Sequence, residues 1–315
     1  MSERNIILGI DTSNYTTSCA LMYSDGELIA NLKRPLAVKE GERGLRQSDA
    51  VFAHVKNIPE IMTEARSILG EKSVSAVGVS TRPRNIDGSY MPCFLSGVAV
   101  AEGIAAVANV PLYRFSHQCG HIMAAIYSSG KTELLDGREF LAFHVSGGTT
   151  EMLKVRAVGD AFSAELVGGT ADINAGQLID RIGVYMGLPF PSGRYLEALA
   201  LENEKKIPTR KPKVKDFKVN LSGIENIAIK TFNETGDKCL TAAFVLNYVA
   251  ESLSLLASEY IKIYGEREIL FAGGVMCNSI IKKTLSDRFT AYFAEPEMSA
   301  DNAVGIAALT ARCHK

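Results

Sequence analysis

His117 and His121 stand four residues apart in the run Ser116-His117-Gln118-Cys119-Gly120-His121. On an α-helix that spacing puts both imidazoles on one face, a turn apart, close enough to hold a single divalent ion. Cys119 falls on roughly the opposite side of the same turn and is a poor third ligand. Gln118 stands where the protease motif H-E-x-x-H carries its acid, which excludes that chemistry. A helix can also carry two such imidazoles with no ion between them, so the pair takes its meaning from its surroundings. An apolar run over 110–115 precedes it and another over 122–126 follows. That order reads as a strand end, an N-cap at Ser116, and a helix.

Further groups with chemical capacity are spread along the chain. Asp11 sits in the turn Gly9-Ile10-Asp11-Thr12-Ser13-Asn14, an acid among small hydroxylated neighbours. Such a turn suits a phosphate or a metal-bound phosphate, and a plain hairpin turn uses the same residues. Asp11 is the one candidate catalytic residue. In Ser146-Gly147-Gly148 the missing side chains let backbone N–H groups approach an anion. Over 172–187 the apolar positions 175, 178, 179, 182, 185 and 186 form a core-facing stripe, and Asp172, Gly176, Asp180, Gly183 and Gly187 form a second. Glycines inside a helix cost about 1 kcal/mol each relative to Ala. Close approach of a ligand or of another backbone would offset that, with Asp180 available to ligand hydroxyls. The turn that follows ends bare of side chain at Gly193. Asn278 is placed to face a base or phosphate from the first turn of a helix over 276–285. Asp301, at the start of the final helix, reads as a first-turn acid favoured by the helix dipole.

The elements that must position these groups follow from the pattern of apolar residues. Strands are expected over 5–10, 18–23 and 27–32, an amphipathic helix over 48–69, a strand over 74–80 and a buried helix over 94–108. The second half echoes the first, with strands over 140–145, 152–158 and 161–167, the first of them again leading into a turn of small and hydroxylated residues. Helices over 172–187 and 240–264, a strand over 268–272, a helix over 276–285 and a strand over 291–294 complete the chain. Two hairpins built alike predict a duplicated α/β fold with a cleft between the halves. Residues 202–218 hold seven of the chain's 34 Lys and Arg residues and read as a linker, with contact to an RNA backbone as the sharper alternative.

The chain has 315 residues, ample for two domains, and is 47% hydrophobic and 22% charged. A net charge of -1 argues against a large electrostatic platform for nucleic acid but permits a local basic patch. Six scattered cysteines, without a C-x-x-C pair, fit a reducing cytoplasm. The charged N-terminus lacks the pattern of a signal peptide, and the apolar stretch over 98–110 is interrupted by Glu102, so no membrane span is expected.

Taken together, the motifs resemble one family, the tRNA threonylcarbamoyladenosine-forming transferases, formerly labelled glycoproteases. These belong to the actin, sugar-kinase and heat-shock-ATPase superfamily. Gly9-Ile10-Asp11-Thr12-Ser13 is similar to the family's G-I-E-T-S, His117-Gln118-Cys119-Gly120-His121 to its H-M-E-G-H, and Val145-Ser146-Gly147-Gly148 to its V-S-G-G. Residues 172–193 resemble its helix and P-G-G turn, Ala272-Gly273-Gly274-Val275 with Asn278 its A-G-G-V-x-x-N, and Asp301-Asn302 its late D-N. The resemblance implies a duplicated actin-like ATPase (ribonuclease H-like) fold of two mixed-sheet lobes. It sets the first lobe at 1–116, joined by a C-terminal helix over 300–315, and the second, with the metal and nucleotide motifs, at 117–299. It further implies one iron or zinc ion on His117, His121 and Asp301. Ser146, Gly147, Gly148, Asp180, Gly193 and Asn278 would then hold an adenylate (threonylcarbamoyl-AMP, AMP or ATP). The implied reaction is metal-assisted transfer of threonylcarbamoyl to the N6 amine of an anticodon-loop adenosine, with tRNA and homologous or partner protein subunits as partners.

The chain also departs from that family. Tyr15-Thr16 replace an acidic pair, Cys119 replaces the Glu of H-M-E-G-H, and Thr149 replaces a His. The G-P-G-L motif gives way to 81–90, with Arg82 and Arg84. Two alternatives therefore stand beside the transferase: a divergent paralogue serving as a nucleotide- and metal-binding partner subunit, and a carbamoyltransferase with another acceptor.

Overall fold

The computed structural model describes residues 4–13, 15–37, 45–137, 139–159, 161–299 and 301–314. Asn14 of the first turn and residue 300 lie outside the described residues. The chain forms two compact units, one of Met1–Gly137, Arg156–Ala164 and Ala300–Lys315, the other of Arg138–Val155 and Glu165–Ser299.

In the first unit, β1 (Ile6–Asp11) is buried at every position, as a central strand covered on both faces must be. Hairpins lead to β2 (Thr16–Tyr23) and β3 (Leu28–Pro35). Helix α1 (Gln47–Leu69) buries Ala50, His54, Ile58, Ile61 and Ala65 at helical spacing, whereas Phe52, Val55 and Ile68, apolar positions of the same pattern, are exposed. β4 (Ala76–Arg82), α2 (Phe94–Ala108), β5 (Leu112–Ser116) and α3 (His117–Ser128) follow. The sheet order is β3-β2-β1-β4-β5, with β1 antiparallel to β2 and parallel to β4. Ile6, Leu8, Ile10, Leu21, Ile61 and Val79 are among the residues of its core.

The second unit starts with β6 (Glu139–Val145), β7 (Thr150–Val158) and β8 (Ala161–Thr170), then α4 (Ala175–Tyr185) and α5 (Gly193–Leu201). The short hairpin β9 (Val214–Lys215) and β10 (Lys218–Val219) precedes α6 (Ser222–Thr235) and α7 (Lys238–Tyr264). β11 (Ile269–Ala272), α8 (Ser279–Ser286), β12 (Ala291–Phe293) and α9 (Pro296–Ser299) complete it. Its sheet runs β12-β11-β6-β7-β8-β10-β9. By length and composition α7 could cross a membrane, but 78% of its most apolar window is buried inside the protein. It is the core helix of this unit, with Phe244, Leu246, Leu253 and Leu256 in the main cluster.

The last helix, α10 (Val304–Cys313), returns to the first unit. Helix α3 groups with that unit too, rather than with a second lobe opening at residue 117 as the sequence suggests. The reason is its contact with α10, where a Cβ on Gly305 would fall 1.8 Å from the Gly120 carbonyl oxygen. Other boundaries differ as well. Asp172 is not in α4, which begins at Ala175 after an Asn174 capping box. The stretch over 202–218 contains a strand pair, so it is only partly a linker. After Gly273 the chain makes a 3-10 turn over Gly274–Cys277 before α8 starts.

Candidate metal centre

Ser116 ends β5 and caps α3, its Oγ accepting from the Cys119 N–H at 3.2 Å. The cap fixes the first turn of α3 and with it the direction of His117 and His121, whose ring centroids lie 4.3 Å apart. The close approach of Gly305 to Gly120 packs α10 on α3. Asp301 precedes that helix by three residues and so meets the two imidazoles. Its Oδ1 is 3.6 Å from His117 Nε2 and 3.2 Å from His121 Nε2. Asp301 is thus outside the first turn of the final helix, and Asn302 accepts from the Val304 N–H at 3.0 Å instead.

Donor atoms of His117, His121 and Asp301 all lie within 4.8 Å of one another. Two imidazole nitrogens and one carboxylate oxygen form a donor set suited to zinc or non-haem iron. Cys119 is buried, and burial pushes its thiol pKa up, which keeps it protonated and out of that set.

Asp11 lies at the end of β1 and is fully buried. Its Oδ2 accepts from Ser13 Oγ at 2.7 Å and faces His117 Nδ1 at 3.1 Å, while its Oδ1 accepts from Ser80 Oγ. It is therefore an orienting group behind His117 rather than one facing open space. Burial opposes charge on these groups, but their mutual attraction prevails. Despite burial, Asp11 is held below the usual carboxylate range by His117 and Ser80, and Asp301 well below it by both histidines. Burial likewise pulls the His117 imidazolium down, yet Asp11 and Asp301 outweigh it and carry its pKa up to about 10. Ser13 is one of the hydroxylated neighbours that the sequence places beside Asp11, whereas Ser80 does not stand out, its only signal being a hydroxyl at the end of an apolar run. His54 is separate, buried beneath β2 with Nδ1 2.9 Å from Thr17 Oγ1.

The remaining site residues lie in the second unit. The turn over 146–149 closes through Ser146 N–H to Thr149 O at 2.8 Å, with Gly147 and Gly148 exposed. A Cβ on Gly176 would fall 2.6 Å from the Ser146 carbonyl oxygen and the Gly147 nitrogen, so this glycine lets α4 pack directly on the turn. Gly183 similarly meets the Ser192 side chain. Close packing against neighbouring chain thus explains Gly176 and Gly183, whereas Gly187 lies just past α4 at φ 78 with open space around it. Asp180 accepts from the Ser192 N–H at 2.7 Å, tying the turn before Gly193 to α4, and burial raises its pKa. Asn278 caps α8, accepting from the Ile281 N–H at 3.1 Å. Beside it, Glu197 accepts from the Ser279 N–H at 2.7 Å, a contact across 82 residues that no sequence pattern signals. Asp172 accepts from the Leu221 N–H at 2.8 Å and from Ser222 Oγ at 2.6 Å, joining the approach to α4 with the start of α6.

The chain is similar to solved structures of the actin-like ATPase and sugar-kinase class, which fixes its fold class. Full-length HypF in a phosphate- and nucleotide-bound form superposes with a TM-score of 0.63 at 12% identity, over 100% of this chain and 47% of that one. The activator of 2-hydroxyisocaproyl-CoA dehydratase from Clostridium difficile, with bound ADPNP, gives 0.55 at 13% identity, over 99% and 95%. In sequence, the chain is 28% identical to tRNA N6-adenosine threonylcarbamoyltransferases of Phocaeicola vulgatus and Christiangramia forsetii. Those matches cover 96% and 98% of this chain and 92% and 93% of theirs. The profile of the TsaD family matches residues 33–308, a span holding both histidines, Asp301 and all six candidate nucleotide-binding residues of the second unit. The chain belongs to the TsaD family, the tRNA N6-adenosine threonylcarbamoyltransferases.

Proposed function

We propose that the protein transfers threonylcarbamoyl from threonylcarbamoyl-AMP to the N6 amine of an anticodon-loop adenosine in tRNA, with the help of one divalent metal ion. The observation that carries this reading is the convergence of His117 Nε2 and His121 Nε2 on Asp301 Oδ1, with Asp11 behind His117. His117, His121 and Asp301 would hold the metal. Asp11 accepts from His117 Nδ1–H and so fixes the tautomer that turns Nε2 toward the ion, as carboxylates commonly do behind metal-bound histidines. Iron or zinc, when bound, supplies a Lewis acid for the acyl group.

In the second unit, the backbone of Ser146, Gly147 and Gly148 offers N–H groups to phosphate, and Asp180 offers a carboxylate to ribose hydroxyls. Gly193 leaves room beside that carboxylate, and the Asn278 amide is available to the base. In the transfer, the adenosine amine attacks the carbamoyl carbon. The new C–N bond forms as the bond to the adenylate oxygen breaks, AMP leaves with that electron pair, and the surplus proton of the amine passes to water.

A second reading, a carbamoyltransferase with another acceptor, draws on the segment over 81–90. Its Pro83 carbonyl accepts from the Gln118 N–H at 3.0 Å, which sets this divergent loop beside the first turn of α3. Both readings are tested by expressing the chain in cells that lack their own threonylcarbamoyltransferase and measuring tRNA nucleosides by mass spectrometry. Threonylcarbamoyladenosine should return with the wild type and not with His117→Ala. Its absence with a metal-loaded, nucleotide-binding protein would favour the second reading or a partner-subunit role.

A further inference from the structure

The basic stretch over 202–218 is an ordered array. Seven cations stand against three acids there. Of the cations, Lys205 pairs with Asp237 at 2.7 Å. Among the described residues, no acid lies within ion-pair distance of Lys206, Arg210, Lys211, Lys213, Lys215 or Lys218. Lys211, Lys213 and Lys215 are exposed and alternate with the less exposed Pro212 and Val214. In extended chain that alternation sends all three to one face, about 6.8 Å apart from one to the next.

The platform under them is anchored. β10 pairs in parallel with β8, and β9 closes the edge of the sheet. The turn between them places Asp216 and Phe217 at φ 51 and 54, the left-handed pair of a tight hairpin. That conformation is unfavourable for a bulky side chain. Phe217 is held in it by Tyr260 and Tyr264 of α7, with ring centroids at 5.5 and 6.2 Å. Lys215 and Lys218 are direct cross-strand partners, and both are exposed. Like charges placed opposite each other destabilise a strand pair.

Lysine on an edge strand also blocks edge-to-edge aggregation. A strand of two residues is already too short to template much pairing, so that role does not call for six unpaired cations or for a repulsive pair. We propose that this edge is a contact surface for the phosphate backbone of RNA, an inference that rests on the tRNA reading above. Lysines act on phosphates as point charges, and Phe217 is turned inward, so the contact is electrostatic and indifferent to base sequence. It positions the RNA and leaves recognition of the adenosine to other groups.

The test uses the full chain and an unmodified tRNA transcript, with affinity followed from about 50 to 200 mM salt. Replacing Lys211, Lys213, Lys215 and Lys218 together by Gln should weaken binding at least about tenfold. It should also reduce the slope of log affinity against log salt by about 0.7–0.9 for each phosphate that is no longer neutralised. AMP binding and metal content should stay at the wild-type level. Lys218→Glu should raise the melting temperature, because it turns a repulsive cross-strand pair into an attractive one, and still weaken RNA binding. A quadruple variant with wild-type affinity and slope overturns the surface and leaves the tRNA reading standing. A wild type that binds poly-glutamate but not tRNA, or that binds neither, overturns both.

Discussion

At the residue scale, His117 sits between two carboxylates, and a proton or a metal ion must compensate their charge. Without metal the imidazolium is retained up to about 10. A raised folded pKa contributes stability that is complete below the unfolded value. That contribution is lost as pH rises through the folded one. In the presence of chelator, thermal stability should therefore fall between pH 6.5 and about 10, and His117→Gln should flatten that fall. Metal binding needs the neutral ring, so uptake should release protons and strengthen with pH over the same window. Calorimetry in buffers of different ionisation enthalpy measures that release; none at neutral pH would contradict the protonated state. Asp11→Asn should weaken metal binding by about 10–100-fold, the usual effect of losing a carboxylate behind a metal-bound histidine. His117→Ala should lose most of the metal, as read by elemental analysis. The pairing of His117 with His121 is visible in their spacing, because helical geometry alone brings them together. Ser80 and Glu197 are not, since their contacts depend on chain meeting chain far apart in sequence.

At the scale of elements, β1 is legible because it is a compact apolar run, and Ser116 marks the start of α3 correctly. The β9–β10 hairpin is hidden by its lysines, which obscure alternation around only two inward valines, Val214 and Val219. The start of α4 is misplaced by the sequence pattern because Asp172, helical in that pattern, serves α6 instead. The α3–α10 contact is what brings Asp301 to the histidines. Gly305→Ala would drive a Cβ to 1.8 Å from the Gly120 oxygen and to 2.7 Å from the Ala124 nitrogen. Overpacking of this kind costs roughly 1–3 kcal/mol, and the helices must separate to relieve it. The variant should therefore lose both melting temperature and metal, whereas a merely structural glycine would leave metal content unchanged in the folded fraction. The loop over 81–90 belongs to the same region. Arg82 donates to Asn85 Oδ1, and the Arg84 N–H donates to Ser89 Oγ at 3.0 Å, so the segment is folded on itself. Arg82→Ala with Arg84→Ala should lower acceptor binding at unchanged metal content and melting temperature; full binding in that variant would make the loop a passive replacement of the family motif.

At the scale of the whole molecule, the two units carry one topology. The order β3-β2-β1-β4-β5 of the first recurs as β8-β7-β6-β11-β12 in the second, with the β10-β9 hairpin added beyond β8. The duplication is readable from two hairpins with similar turns, and the added edge is not. Each unit offers a different chemistry: a three-ligand donor set in the first, a glycine-lined turn and a half-buried carboxylate in the second. The departures at Tyr15, Thr16, Cys119 and Thr149 alter the surroundings of the family motifs but leave His117, His121 and Asp301, the proposed metal ligands, in place. We propose that this donor set still serves threonylcarbamoyl transfer to tRNA. That role is tested most directly by mass spectrometry of tRNA nucleosides from cells lacking their own threonylcarbamoyltransferase and expressing this chain. Threonylcarbamoyladenosine should appear with the wild type and be absent with His117→Ala or Asp301→Ala. Restoration by those variants, or no modified nucleoside from a wild type that is folded and metal-loaded, would contradict it.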